Sequence, residues 1–155
     1  MDLTFERFNS AEELQNQRDL FVECFPENSG TPVEGETHYK WKFHTFPSKM
    51  EKKAYEYVAK IGEDIVGYYA ALPYEYVIEG KPHQVAMVCD VMTGVKARGK
   101  GVFTKLGVYS TEQFNAEGFS FSTGYPIRPD VIPGHKKAGW NFPFQIPMYG
   151  KFIKM

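Results

Sequence analysis

The stretch VMTGVKARGKGVFTKLG, positions 91–107, sets Gly99 and Gly101 on either side of Lys100, with Gly94 just before them. A short apolar run precedes the stretch and a helix-like pattern follows it. A backbone that approaches an oxyanion closely needs glycine, because a Cβ stands in the way. A strand that ends in such a loop and runs into a helix aims several N–H groups at one point. The positive end of the helix dipole reinforces them. The chemistry this favours is the holding of a phosphate or diphosphate.

Two familiar phosphate loops fit poorly. Gly94, Gly99 and Lys100 satisfy most of G-x-x-x-x-G-K-[ST], but the last position is Gly101 and offers no hydroxyl to magnesium. The later strand-like run FSFST has no acid to serve as the second magnesium ligand. Gly99 and Gly101 also begin a dinucleotide fingerprint, G-x-G-x-x-G, but Thr104 stands where the third glycine belongs. No acidic residue follows at the end of a next strand at the spacing that fingerprint requires.

The elements that must position this loop are legible in outline. LTFERF (3–8) alternates like a strand. Ser10 opens SAEE, where Glu13 completes a capping box, and a helix is expected to run to about Cys24. PENSGTPVEGE is a loop by composition, and THYKWKFHTFP predicts a short second helix ending before Pro47. From Ala54 the pattern becomes β: AYEYVAKI, the turn GED, IVGYYAALPYEYVI, the turn EGKP, then HQVAMVCDVMT. The tyrosines of GYYAALPYEY alternate as if one sheet face were wet and one dry. Gly101 to Gly118 reads as a helix that Gly118 stops. FSFST is a strand, DVIPGHKKAG holds a short helix, and MYGKFIK is a final strand. The order β-α-α-β-β-β-α-β-α-β predicts an α/β (α+β) fold with a mixed, mostly antiparallel sheet, as one domain over 1–155.

Against these elements, the chain resembles the GNAT superfamily of N-acetyltransferases. Their loop reads [RQ]-x-x-G-x-[GA], which Arg98 and Gly101 within RGKG match. DVMT ends the strand before it, and KKAGW resembles the family's closing YxxxG[FW]. The resemblance covers nearly the whole chain in element order and about fifty residues in motif. Phe103 stands at the final [GA] position, as in a subset of relatives reading RGKG[IL]F, and Val95 stands where proline is common.

The resemblance implies that VAMVCDVMT and FSFST are parallel neighbours that splay apart to admit acetyl-CoA. Backbone groups of Val91, Met92 and Thr93 would pair with the pantetheine arm, and an N–H near Met92 or Thr93 would meet the thioester carbonyl. The pyrophosphate would lie on N–H groups of Arg98, Gly99, Lys100, Gly101, Val102, Phe103 and Thr104. The Arg98 side chain either joins them or points to solvent. The reaction implied is attack of a neutral primary amine on the thioester, which needs a base for the ammonium proton and an acid for the leaving thiolate. A tyrosine four residues before the closing glycine often supplies the acid; here the position holds His135, which is otherwise a surface histidine on a short helix. Tyr125 is the competing acid, or a loop aromatic packed on Pro126. Asp90, the one acid in its apolar run, is a base or a carboxylate bonded at a strand irregularity. Glu75 is a further base candidate, or simply exposed.

Composition narrows the partners. A net charge of −1 without a block of one sign argues against nucleic acid, although HYKWKFHTFPSKMEKK interleaves aromatic and basic residues. We read that stretch as a helix over the acceptor cleft, with Tyr39, Trp41 and Phe43 as pocket wall or core. His38 and His44 are six apart, and Cys24 and Cys89 sit in apolar surroundings as buried thiols, so no metal site is expected. The acidic, alternating N-terminus is unlike a signal peptide, and no apolar run is long enough to span a bilayer. The expected setting is the cytoplasm, with no membrane partner, as monomer or homodimer. The expected partner is a small-molecule or peptide amine; the acidic loop from Glu27 to Glu36 either attracts such a cation or is simply solvated. A GNAT-fold module that binds acyl-CoA without catalysis is the rival reading, because no tyrosine stands at position 135 and no base is unambiguous.

Overall fold

A computed structural model of the chain describes residues 2–126 and 128–147. The expected final strand, MYGKFIK, lies outside these residues. One sheet has the order β1 (Leu3–Arg7), β2 (Tyr55–Ile61), β3 (Asp64–Ile78), β4 (Lys81–Thr93) and β5 (Phe121–Gly124). Neighbours are antiparallel except β4 and β5, which are parallel. The helices are α1 (Ser10–Cys24), α2 (Glu36–His44), α3 (Val102–Ala116) and α4 (Ile132–Lys137). No described helix is long and apolar enough to cross a membrane.

Both faces of the sheet are covered. On one, Tyr57, Ala59, Tyr69, Ala71 and Val88 pack against Val102, Leu106 and Phe114 of α3. On the other, Val58, Tyr68, Ala70, Leu72 and Met92 meet Leu20, Phe21 and Cys24 of α1 and Tyr39 and Phe43 of α2. This corrects the wet-and-dry reading of GYYAALPYEY. Tyr68 and Tyr69 point to opposite faces yet are 0% and 1% exposed, because helices cover both sides. Tyr39 and Phe43 are core, whereas Trp41 is 65% exposed. Cys24 is buried, Cys89 is partly so, and burial pushes the Cys89 thiol up to about 12.

Two element ends differ from expectation. The cap of α1 is Asn9, not Ser10: its side chain accepts from the Ala11 N–H, while the Glu13 carboxylate accepts the Asn9 N–H, each at 3.1 Å. Ser10 is already helical. After α3, the Phe119 N–H turns back to the Phe114 carbonyl at 3.1 Å, and Gly118 takes φ +91°. This closing turn delays β5 to Phe121 and leaves Phe119 in the core.

Leu106, 1% exposed, joins α3 to the sheet through Gly67, whose missing Cβ would lie 3.1 Å from the leucine. Leu106→Ala is expected to cost about 3 kcal/mol. Denaturant unfolding checks this, and an unchanged midpoint would show that α3 is not anchored here.

Candidate active site

The site starts where the sheet stops being continuous. β4 and β5 pair from Val85↔Phe121 to Val88↔Gly124 and no further. β4 runs on to Thr93, so five of its residues pass beyond the last β5 partner. Within that stretch β4 is bulged: Ala70 faces Cys89 and Tyr68 faces Met92, so Asp90 and Val91 together oppose Tyr69. Asp90 takes φ +47°, a left-handed conformation that a short polar side chain tolerates. The bulge resets the alternation. Val88 and Val91, three apart, both pack toward α3, while Cys89 and Met92 pack toward α1.

The glycine loop begins at this frayed end. The Gly94 N–H donates to the Val66 carbonyl at 2.9 Å, and a Cβ on Gly94 would lie 3.2 Å from Leu20. Glu23 of α1 accepts the Val95 N–H at 2.6 Å. Arg98 is exposed, and its Nε folds back onto the Thr93 carbonyl at 3.1 Å. Gly99 and Gly101 have φ of +74° and +76°. A Cβ on Gly99 would meet nothing within 4 Å, so left-handed geometry, rather than crowding, demands glycine in the free protein. Gly101 caps α3 without a side-chain hydrogen bond. The amides of Val102, Phe103 and Thr104 therefore open α3 with no acceptor from within the helix. Lys96, Arg98, Lys100 and Lys105 surround them, and among the described residues none is in an ion pair. The Val102 side chain is buried, so this residue offers the loop only its backbone.

α4 closes the site from the far side. The Phe103 ring lies 2.8 Å from where a Gly134 Cβ would stand, so a bulky residue at 103 is matched by a bare one at 134. His135 is 6% exposed, not on the surface. Its ring meets Phe103 edge-on at 4.9 Å and Trp140 at 5.2 Å, and its Nδ1 has no partner among the described residues. Trp140 lies 3.3 Å from a Cβ position on Gly124, where β5 leaves β4. An opened parallel pair, a glycine loop that opens α3 and a tryptophan at the fork thus share one end of the sheet.

Residues 7–142 match the model of the acetyltransferase (GNAT) domain family. The chain belongs to the GNAT acetyltransferase family. Among solved structures it is similar to an aminoglycoside acetyltransferase, meta-AAC0020, from an uncultured soil metagenomic sample, at 17% identity and a TM-score of 0.74, over 98% of this chain and 97% of that one. It is similar to AAC(6')-Iy in complex with the bisubstrate analogue CoA-S-monomethyl-acetylneamine, at 14% identity and 0.74, over 99% and 100%. A transcriptional regulator from Bacillus halodurans C-125 aligns at 19% identity and 0.74, over 96% and 100%. No curated protein matches the chain significantly in sequence.

In this GNAT domain the acid and base candidates sit on different elements. Tyr125 follows β5 and is 56% exposed; the Tyr76 hydroxyl beside it raises its pKa. Asp90 accepts from Lys42 Nζ of α2 at 2.7 Å. Burial opposes the Lys42 charge, but Asp90 outweighs it and raises the lysine pKa. Glu75 is held at the surface by Lys49 at 3.1 Å and Gln84 at 3.2 Å, well along β3 from the fork.

Sequence reasoning missed three features. Glu23 braces the loop from a different element. Lys42 reaches Asp90 across 48 positions. Glu56 accepts from Tyr39 at 2.6 Å and Tyr68 at 2.5 Å, with burial raising its pKa. Alternation in AYEYVAKI does mark Glu56 as facing opposite to Tyr55 and Tyr57, but nothing local names its partners.

Burial lowers the His135 pKa, so the folded state binds a proton there less readily than the unfolded chain. That contribution to stability is complete above the unfolded value of about 6.5 and is lost as pH falls toward the folded value. Thermal melts should show the protein losing Tm between about pH 7 and 5 relative to His135→Phe. Parallel pH curves for the two proteins would contradict a buried neutral imidazole.

Proposed function

We propose that this domain is an acetyl-CoA-dependent N-acetyltransferase acting on a primary amine by direct attack on the thioester. The observation that carries the reading is the conjunction of an unpaired β4 edge with uncapped amides at left-handed glycines. Residues 99 and 101–104 present backbone donors to a diphosphate, and Lys100, whose N–H donates to the Ala97 carbonyl at 3.4 Å, adds its charge with Arg98 and the α3 dipole. The edge at Val91, Met92 and Thr93 gives an extended pantetheine chain a strand to pair with, and a backbone donor for the carbonyl oxygen. Acetyl-CoA supplies the activated acetyl carbon.

The remaining work falls to side chains. The N–C bond forms as the C–S bond breaks, so one proton must leave nitrogen and sulfur departs as thiolate. We assign the first proton to Asp90, directly or through a water, with Lys42 fixing the carboxylate at the bulge. We assign protonation of the sulfur to Tyr125, whose hydroxyl is accessible and protonated at neutral pH. His135 suits that task poorly. Burial keeps its imidazole neutral, and a neutral imidazole is a far weaker acid than a thiol. It shapes the wall through Phe103 and Trp140 instead.

Gly101→Glu puts a side chain and a negative charge at the diphosphate, at φ +76°. It is expected to abolish coenzyme A binding by calorimetry; unchanged affinity would sink the loop assignment. Free-thiol release from acetyl-CoA over a panel of amines tests the reaction. Binding without release for any amine would favour the catalytically silent acyl-CoA module.

Asp90→Asn and Tyr125→Phe are each expected to lower kcat about 100-fold. His135→Phe should change it less than about threefold, because no proton passes through it. The reverse ranking in steady-state kinetics would return the acid to His135.

A further inference from the structure

Arg18 lies on α1 with 6% of its surface exposed. Among the described residues its five N–H donors find two acceptors: Gln17 Oε1 at 2.7 Å from Nε and the Val33 carbonyl at 3.4 Å from Nη1. No described carboxylate forms an ion pair with it. The carboxylates that act on it through space are engaged elsewhere, Asp90 by Lys42 and Glu56 by Tyr39 and Tyr68. A guanidinium cannot shed its proton, and a charge taken from water without a countercharge is costly. Its flat faces are satisfied by Phe21, 4.4 Å from the guanidinium carbon to the ring centre, and by Tyr39 at 5.4 Å. Its fork is not.

Arg18 lines a groove of about 610 Å³ between α1 and the segment leading into α2, together with Leu14, Asp19 and Glu34. The groove runs along the helix that braces the diphosphate loop. Arg18 precedes Glu23 by five residues, or about 8 Å along α1. It also feels Asp90 at the bulge. We infer that Arg18 anchors an oxyanion on the acceptor, so that the amine substrate also carries a carboxylate or phosphate. The planar fork seats the oxyanion bidentately and leaves the amine end free to extend toward Asp90. This rests on the acetyltransferase reading for the amine, but the oxyanion site can be tested apart from turnover.

Matched pairs provide the test: lysine against 1,5-diaminopentane, and O-phosphoethanolamine against ethanolamine. Thermal shift and thiol release are read for each. The wild type should favour the oxyanion-bearing member of at least one pair by about tenfold or more. Arg18→Met should bring that ratio close to one, while the loss of the bonds to Gln17 and Val33 lowers Tm to the same extent with and without either ligand. No preference in the wild type, or a preference that survives in Arg18→Met, overturns the site. Should that variant not fold at all, Arg18→Lys keeps the charge without the fork, and an unreduced preference there overturns the proposal. Coenzyme A calorimetry on the wild type separates the two readings. Failure to bind coenzyme A removes the acetyltransferase, and the thermal shifts alone then judge Arg18.

Discussion

The structure depends on the parting of two parallel strands. Wherever β4 has neighbours on both sides, its polar backbone is consumed by the sheet. Past Val88 and Gly124 one side is released, and the bulge at Asp90 twists the strand just there. Backbone donors and acceptors left without partners inside a protein are costly, so such an opening persists only where water or a ligand satisfies it. An extended chain with its own amides is the natural occupant of an unpaired edge. The loop that follows then has little freedom, because it must cross from that edge into α3 within a few residues.

Packing on both faces keeps the fork open. α3 is drawn onto the sheet through Leu106 and the bare backbone of Gly67, which sets the height of its N-terminus above β4. α1 lies on the opposite face and reaches the loop at Gly94 and Val95 through Leu20 and Glu23. The loop is thus gripped from below by a helix that also lines the groove beside α2. Trp140 stands at the fork and, with Phe103, encloses His135. Aromatic walls exclude water, and burial there lowers the His135 pKa.

Charges are divided between the two sides of the sheet. Around the glycines the cations stand without described ion-pair partners, which suits a polyanion. On the α1 and α2 side Lys42 is matched by Asp90, and Glu56 by two tyrosine hydroxyls, whereas Arg18 is in no ion pair among the described residues. An uncompensated charge beside a groove is a stability cost that a ligand can offset. The same logic distinguishes Glu75, matched by Lys49 in the open, from Asp90, held at the bulge.

Local signals carried much of this. The glycines of RGKG, the strand before them and the helix after them mark an anion loop, because φ and helix dipole are properties of neighbours in sequence. Strand alternation and turn residues located the elements to within a few positions, and Asn9 displaced Ser10 only by one residue. Other features arise from residues far apart in the chain. That Tyr68 and Tyr69 are both buried depends on helices from two different segments. That Asp90 meets Lys42, and that Glu23 braces Val95, depends on which faces those helices turn inward. His135 reads as exposed by its neighbours Lys136 and Lys137, and only Phe103 and Trp140 closing around it make it buried. Sequence by itself thus determined the loop's conformation, because conformational preference is local. Tertiary structure alone decided which charges were left unpaired, because pairing and burial are settled by what packs across from a residue.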